Sequence, residues 1–455
     1  MCKKYDFEYN VIGSGPAGSA AAINLAKAKK HVGLVEGRFF GGSNLNTRDV
    51  PFAVALNFSH AYRRTLTLPE FRNQDITFSL PTAVSHQLQT VLNCGGNNQN
   101  LFKISGVTCI NGYASFLDND TIAVGNQKYT AKNFIIATGA KLKTLEISGT
   151  EQVNYLTPET SIKVHRTPKV VVIVGGGSTG CEIATYYAEL GVKVIILEMS
   201  PRLLPREDKD VSDCITNYFT RELGVMVLTN SKVVALEQDN TAKRVIFVNS
   251  RTEKMIRTDC VVLATGSQPA LDLGLENANV KYKNSGIIVD RYFETSTKNI
   301  YAIGDCLGKD SSTELADYEG SLLASNLINK TKNPADYHGF IRQTNTNPTL
   351  VTIGFNEDDL TRRDRKYKTS IVPLSDIPAG KIYNSPYGFV KLIADKNNRL
   401  LGACIIAPHA DLLASELSLA IRHNLPVVEI ASTPHPINSY NYAIKLAAKN
   451  LLAKK

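Results

Sequence analysis

The sequence predicts an α/β protein in which one βαβ pattern occurs twice. Three observations predict it. An apolar strand, a G-x-G-x-x-G turn and an alanine-rich helix open the chain; the same order returns at Lys169; and each copy runs into a second apolar strand ending in glutamate. At 455 residues the chain exceeds what a single core serves, which predicts two to four domains.

In the first copy, Tyr9-Asn10-Val11-Ile12 reads as a short buried strand. The turn is Gly13-Ser14-Gly15-Pro16-Ala17-Gly18, the helix Ser19 to Lys29, and the next strand Val32-Gly33-Leu34-Val35, ending in Glu36. The first glycine makes the turn, the second lets the backbone approach a pyrophosphate, and the third lets helix and strand pack. The phosphates would sit at the positive helix N-terminus. Glu36 stands near the spacing at which a carboxylate takes a ribose diol.

The second copy has the strand Lys169 to Val174, the turn Gly175-Gly176-Gly177-Ser178-Thr179-Gly180, a helix from Cys181 to Leu190, and the strand Val192 to Leu197, ending in Glu198. A carboxylate at that strand end suits a free 2′-hydroxyl and repels a 2′-phosphate, so NADH is favoured over NADPH. Arg202 is the nearest cation that could reverse the preference. Two such units in one chain predict one bound and one exchangeable dinucleotide, an arrangement that suits hydride transfer through a flavin.

Composition excludes several other classes. No run approaches the length of a membrane span, and the N-terminus lacks the apolar region of a secretory signal. The eight cysteines form no C-x-x-C pair, which fits reduced thiols in a cytoplasm. No histidine or cysteine spacing suggests a metal site. The net charge is +9, and the densest basic run, Arg362 to Lys368, has no nucleic-acid recognition motif around it; a solvated helix end or loop is expected there.

Further segments make the chain resemble the pyridine nucleotide–disulfide oxidoreductases, the group of dihydrolipoamide dehydrogenase, glutathione reductase and mercuric reductase. Phe134 to Gly139 and Val261 to Gly266 match the two A-T-G segments of that family. Thr297 through Gly304-Asp305 matches its second FAD motif, and Gly112-Tyr113-Ala114-Ser115-Phe116 its adenine-side segment. Glu198 to Asp208 matches its NAD domain. Asn347-Pro348 to Gly354, Lys391 to Ala403 and Ile406 to Ala410 match its C-terminal domain, where His409 is expected to be structural.

The resemblance implies two Rossmann-like domains and a C-terminal α+β dimerisation domain. Residues 1–148 and 270–335 would bind FAD, 149–269 NAD, and 336–455 would form a homodimer. It assigns FAD to Gly13, Ser14, Gly15, Pro16, Ala17, Gly18, Glu36, Gly37, Gly42, Ser43, Ala114, Thr138, Gly139, Gly304 and Asp305. It assigns NAD to Gly175, Gly177, Ser178, Gly180, Glu198 and Gly266.

The departures are concentrated at the reacting centre. Gly41-Gly42-Ser43-Asn44-Leu45-Asn46-Thr47-Arg48-Asp49-Val50-Pro51 aligns with the redox-disulfide segment, but Asn44 and Asp49 take both sulfur positions. Disulfide chemistry needs a thiolate and a leaving thiol, and neither residue supplies one. Ala53 replaces the family's lysine, while its partner remains as Glu182, for which Arg48 is a candidate cation. Ser178 stands where the family often has a tyrosine over the flavin. Pro434-His435-Pro436 resembles the acid–base segment, yet no Asp or Glu follows Glu429, so no local carboxylate orients His435. The end of the chain lacks the cysteine pair of mercuric reductase.

The expected activity is therefore FAD-dependent hydride uptake from NADH with electrons passed to a non-disulfide acceptor, such as a quinone or other small oxidant. His435 and Glu182 are the candidate catalytic residues. Transhydrogenation and a non-enzymatic FAD-binding sensor or scaffold are the alternatives.

Overall fold

The computed structural model describes residues 4–71, 75–143, 147–239, 242–308 and 312–454. The chain divides into two compact units. The first comprises Met1–Val54, Val84–Thr144 and Gly266–Asp336; the second comprises Ala55–Ala83, Leu145–Thr265 and Tyr337–Lys455.

In the first unit the strand Phe7–Ile12 is central. It pairs in parallel with Val32–Glu36 on one side and with Gln127–Ile136 on the other. Val107–Asn111 extends the sheet beyond Val32–Glu36, and Ile300–Ala302 pairs in parallel with the end of Gln127–Ile136. The strands read as nearly continuous apolar runs because a parallel sheet is covered on both faces; Val11, Leu34 and Ile135 are fully buried. The ten-residue strand Gln127–Ile136 serves two pairings, since its beginning also joins the antiparallel strands Thr121–Val124 and Ala114–Asp118. The helix Pro16–Lys27 packs against the helix Thr313–Asn329 through Gly320, where a Cβ would come within 2.1 Å of the Ala17 carbonyl oxygen. Ile12, Glu36, Ile136 and Ala302 end their parallel strands at one edge, the edge at which open α/β sheets bind ligands.

The second unit contains a parallel sheet in the order Met226–Leu228, Lys193–Leu197, Val170–Val174, Cys260–Leu263. Its helix begins at Ser178, three residues ahead of the Cys181 start expected from the sequence, because the turn's own last residues already wind helically after the extended Gly177. A three-stranded antiparallel sheet, Ser231–Gln238, Lys243–Asn249 and Thr252–Thr258, follows. The C-terminal part is a five-stranded antiparallel sheet in the order Ile341–Thr344, Thr349–Gly354, Leu400–Ala407, Phe389–Ala394, Lys368–Pro373. The helices Ala410–Arg422 and Asn441–Ala453 bury Leu413, Leu417, Ala420 and Ala443, Ala447, Leu451, the spacing of one apolar helix face.

The basic run lies at the end of the helix Glu357–Arg362 and the start of the strand Lys368–Pro373. Arg362 pairs with Asp359 at 2.6 Å, and the Arg363 guanidinium lies 4.8 Å from the centre of the Phe355 ring. No helix among the described residues is long and apolar enough to cross a membrane.

Lys391 is fully buried in a strand of the C-terminal sheet. Its ammonium lies 2.8 Å from Asp208 and 2.9 Å from Asp210, and it also contacts Glu357. Asp208, Asp210 and Glu357 are close enough to share a metal ion, but the lysine already provides the cation they surround. Burial opposes the charged ammonium, and hydrogen bonds to Asp208, Asp210 and Glu357 outweigh it, holding Lys391 above the usual lysine range. A raised lysine contributes stability that is complete below its unfolded value of about 10.4 and is lost only as pH rises beyond it. Lys391→Met should therefore destabilise the protein by about 3–5 kcal/mol at neutral pH, because three carboxylates lose their cation. Denaturant unfolding at neutral pH checks this.

Candidate functional site

The two G-x-G-x-x-G turns are built alike. A Cβ on Gly13 would meet the Ala137 carbonyl oxygen at 2.2 Å, and one on Gly175 would meet the Ala264 carbonyl oxygen at 2.4 Å. A Cβ on Gly18 would lie 1.9 Å from the Gly13 oxygen, and one on Gly180 would lie 2.0 Å from the Gly175 oxygen. The first and third glycines are thus required by the protein's own packing. The second are not: a Cβ on Gly15 or Gly177 would meet nothing within 4 Å. Each is the N-cap of its helix, with no side chain capping the first-turn N–H groups. Open space over uncapped N–H groups fits a dinucleotide pyrophosphate.

The glutamates that end the neighbouring strands hold the turns in the same way. Glu36 Oε2 accepts from Ser14 N at 2.9 Å and Ser14 Oγ at 2.6 Å, and its Oε1 accepts from Arg38 N at 2.8 Å. Glu198 is buried; its Oε2 accepts from Gly176 N at 2.6 Å and its Oε1 from Ser200 N at 2.7 Å. Both carboxylates are therefore placed beside their turns before any sugar arrives. Arg202 donates to Asp358 at 2.7 Å and to the Glu207 carbonyl at 3.0 Å.

The remaining residues assigned to FAD lie in the first unit. Pro16 and Ala17 open the first helix, Thr138 donates to the Ala270 carbonyl at 2.8 Å, and Gly139 accepts from Ala270 N at 3.0 Å. A Cβ on Gly37 would strike the Tyr113 ring at 2.5 Å, which keeps the Glu36 end of the sheet close to the strand that starts at Ala114. Gly304 N donates to Glu319 at 2.6 Å, and Asp305 follows in a short 3-10 turn. Glu319 is a buried carboxylate on the helix Thr313–Asn329, and it carried no motif in the sequence. Ser178, in the second unit, is exposed, and Gly266, which opens the last segment of the first unit, has positive φ with open space around it.

The segment after Gly41 keeps its place against the first turn. A Cβ on Gly42 would come within 2.5 Å of the Gly15 Cα, and Ser43 follows in the short helix Gly42–Asn46. At the aligned sulfur positions the structure has a closed polar cluster. Asn44 Nδ2 donates to Asp49 Oδ2 and to Thr313 Oγ1, both at 2.7 Å, and the Thr313 hydroxyl donates to the same Asp49 oxygen.

Burial raises the interior thiols. It pushes Cys306, next to Asp305, up to about 12, with the Glu319 and Asp305 charges adding to the effect. Cys260 and Cys214 are pushed up to about 11, again by burial first. Thiols shifted in this direction are poor nucleophiles at neutral pH.

Glu182 Oε1 accepts from Asn345 N at 2.7 Å and Asn345 Nδ2 at 3.0 Å, a partner that nothing in the sequence announced. The expectation for His435 needs correcting. Its Nδ1 donates to the Thr433 carbonyl at 2.8 Å, and its Nε2 lies 3.2 Å from Glu416 Oε1. A carboxylate does orient the ring, and it comes from the upstream helix Ala410–Arg422 rather than from the residues that follow His435.

A model of the family described as pyridine nucleotide-disulphide oxidoreductase matches residues 7–323, and the model of that family's dimerisation domain matches residues 342–448. The chain belongs to the pyridine nucleotide-disulphide oxidoreductase family. It is 30% identical to a dihydrolipoyl dehydrogenase of Bacillus subtilis, over 93% of this chain and 92% of that protein. It is 28% identical to a mercuric reductase of Bacillus cereus, over 97% of this chain and 71% of that protein. Among solved structures it superposes on the HOCl-induced flavoprotein disulfide reductase RclA of Escherichia coli with a TM-score of 0.87 at 23% identity, covering 98% of this chain and 100% of that one. It superposes on LpdA of Mycobacterium tuberculosis with a TM-score of 0.88 at 22% identity, covering 97% and 99%. The family makes the chain an FAD-dependent pyridine nucleotide oxidoreductase, and its dimerisation domain supports a homodimer.

The open Gly15 yields a sharp expectation. Gly15→Val should fold with near-normal thermal stability, because a Cβ there meets no protein atom within 4 Å, yet should purify without FAD. Gly18→Ala should instead lose about 1–3 kcal/mol of stability by overpacking against the Gly13 carbonyl. Melting curves and flavin absorbance distinguish the two, and a yellow Gly15→Val protein would contradict the assignment.

Proposed function

We propose that the protein takes hydride from NADH at an FAD-loaded centre and passes the electrons to a small non-disulfide acceptor such as a quinone. The observation that carries this reading is the cluster of Asn44, Asp49 and Thr313 beside an unaltered dinucleotide turn. Both nucleotide turns keep their packing, while the positions of the two sulfurs hold groups that cannot exchange disulfides.

When bound, FAD supplies acceptance of a two-electron equivalent from the nicotinamide and its release to an oxidant. On this reading residues 1–148 and 270–335 hold FAD and residues 149–269 hold the nicotinamide nucleotide. Gly13, Gly15, Gly18 and the N-terminus of the helix Pro16–Lys27 take the FAD pyrophosphate, with Glu36 on its ribose. Gly175, Gly177 and Gly180 do the same for NADH. Ser178, small and exposed, leaves room where a larger side chain would cover the nicotinamide site.

Two features favour NADH over NADPH. Glu198 would oppose a 2′-phosphate. Arg202, the cation that might have neutralised such a group, is paired with Asp358. Glu182, held by Asn345, and His435, oriented by Glu416, are the candidate polar groups around the reaction. Residues 336–455 form the dimer contact. The seven described cysteines are all unpaired, which suits a reducing, cytoplasmic setting.

The FAD-loaded enzyme should oxidise NADH with a benzoquinone as acceptor and should leave lipoamide and glutathione disulfide unreduced. NADPH should support kcat/KM at least about tenfold lower, the effect of roughly 1.4 kcal/mol. Steady-state assays with this acceptor panel check the reading; turnover with disulfides, or none with quinones, contradicts it.

A further inference from the structure

Asp49 is exposed and stands in the first turn of the helix Asp49–Thr67. Its side chain is nevertheless fixed. Asn44 and Thr313 both donate to Oδ2, and Asn44 also donates to Thr313, so three side chains from three helices hold one another. Among the described residues both donors engage Oδ2, which leaves Oδ1 open to an incoming group. The cluster's position is fixed as well. Gly42 lies on Gly15, so the segment that carries Asn44 and Asp49 abuts the nucleotide turn at the ligand-binding edge of the sheet. Thr313 comes from the helix that follows Gly304 and Asp305 at the same edge. An exposed carboxylate with one oxygen anchored and the other free is an oriented acid–base group, which a structural tie would not require.

We propose that Asp49 is a catalytic residue of the acceptor side, the carboxyl that delivers a proton to a quinone-type carbonyl as it is reduced. Asn44 and Thr313 are its positioning residues. The inference rests on the proposed non-disulfide acceptor and names the chemistry that this acceptor requires. A quinone becomes a hydroquinone by taking two electrons and two protons. NADH supplies both electrons and one proton as a hydride equivalent. The second proton passes from the Asp49 carboxyl to the acceptor oxygen, forming the O–H bond, and water then returns a proton to the carboxylate. The groups that touch Asp49, Asn44 and Thr313, are uncharged. The charged residues adjoining them in the chain are Arg48 and Glu314.

The test uses FAD-loaded wild-type and Asp49→Asn protein, reduced chemically with dithionite and mixed anaerobically with a benzoquinone over a series of pH values. Removal of a general acid should slow flavin reoxidation by about 100-fold and flatten its pH dependence. A redox titration supplies a readout independent of turnover: the flavin midpoint potential should stay close to that of wild type in Asp49→Asn, because a carboxyl that carries its proton and an amide are both uncharged. A reoxidation rate and pH profile equal to wild type overturn the proposal. So does a shifted potential with an unchanged pH profile, which is the behaviour of a spectator charge. If Asp49→Asn fails to fold or to hold FAD, Thr313→Val carries the test, since it removes one orienting donor and keeps the carboxyl. An altered pH profile then supports the proposal and an unchanged one overturns it. Chemical reduction keeps this result separate from the NADH reading: a flavin that NADH cannot reduce defeats the proposed function, whereas unchanged reoxidation in these variants defeats the role of Asp49.

Discussion

The site depends on one steric constraint, the approach of a helix start to the end of its strand at a third glycine. At Gly18 and Gly180 a single added carbon would sit about 2 Å from the carbonyl of the turn's first glycine, far inside van der Waals contact. That approach puts the first-turn N–H groups over the strand end and leaves the second glycine facing open space. Glu36 and Glu198 then accept from the turn's own N–H groups and are held beside the turns. Gly42 extends the same constraint to the segment that carried the family's redox chemistry, because its Cα rests on Gly15.

Much of this was legible in the sequence. Strands buried on both faces read as unbroken apolar runs, and the turns had to be glycine where the backbone approaches itself. Both signals are local, so Phe7–Ile12, Val32–Glu36 and Val170–Val174 came out within a residue or two of their observed bounds. The partners of the polar groups were not legible. Thr313 meets Asn44, Asn345 meets Glu182 and Glu416 meets His435 across long stretches of chain. A hydrogen bond between distant segments leaves no periodicity or spacing behind it. Sequence proximity points to the residues just after His435 for its carboxylate, whereas the fold brings one from the helix Ala410–Arg422. Lys391 illustrates the same limit: a lysine inside a strand reads as polar, and only the folded chain shows three carboxylates around it.

The substitution of the two sulfur positions is coherent in physical terms. Asn44 and Asp49 satisfy each other and recruit Thr313, so the segment keeps its shape without a covalent link. The thiols that remain inside are raised by burial rather than lowered by a neighbouring cation, the opposite of what a redox cysteine requires. The packing of the nucleotide turns is thus kept in a chain that has no sulfur at the two aligned positions.

The proposed function makes the flavin the redox store, with no disulfide among the described residues to share its electrons. An anaerobic titration of the FAD-loaded enzyme with NADH measures it directly. A disulfide reductase holds two electrons on the flavin and two more on its sulfurs. This protein should be fully bleached by one equivalent of NADH per flavin and should take up no more. Uptake of a second equivalent, or a flavin that stays oxidised, would contradict the account.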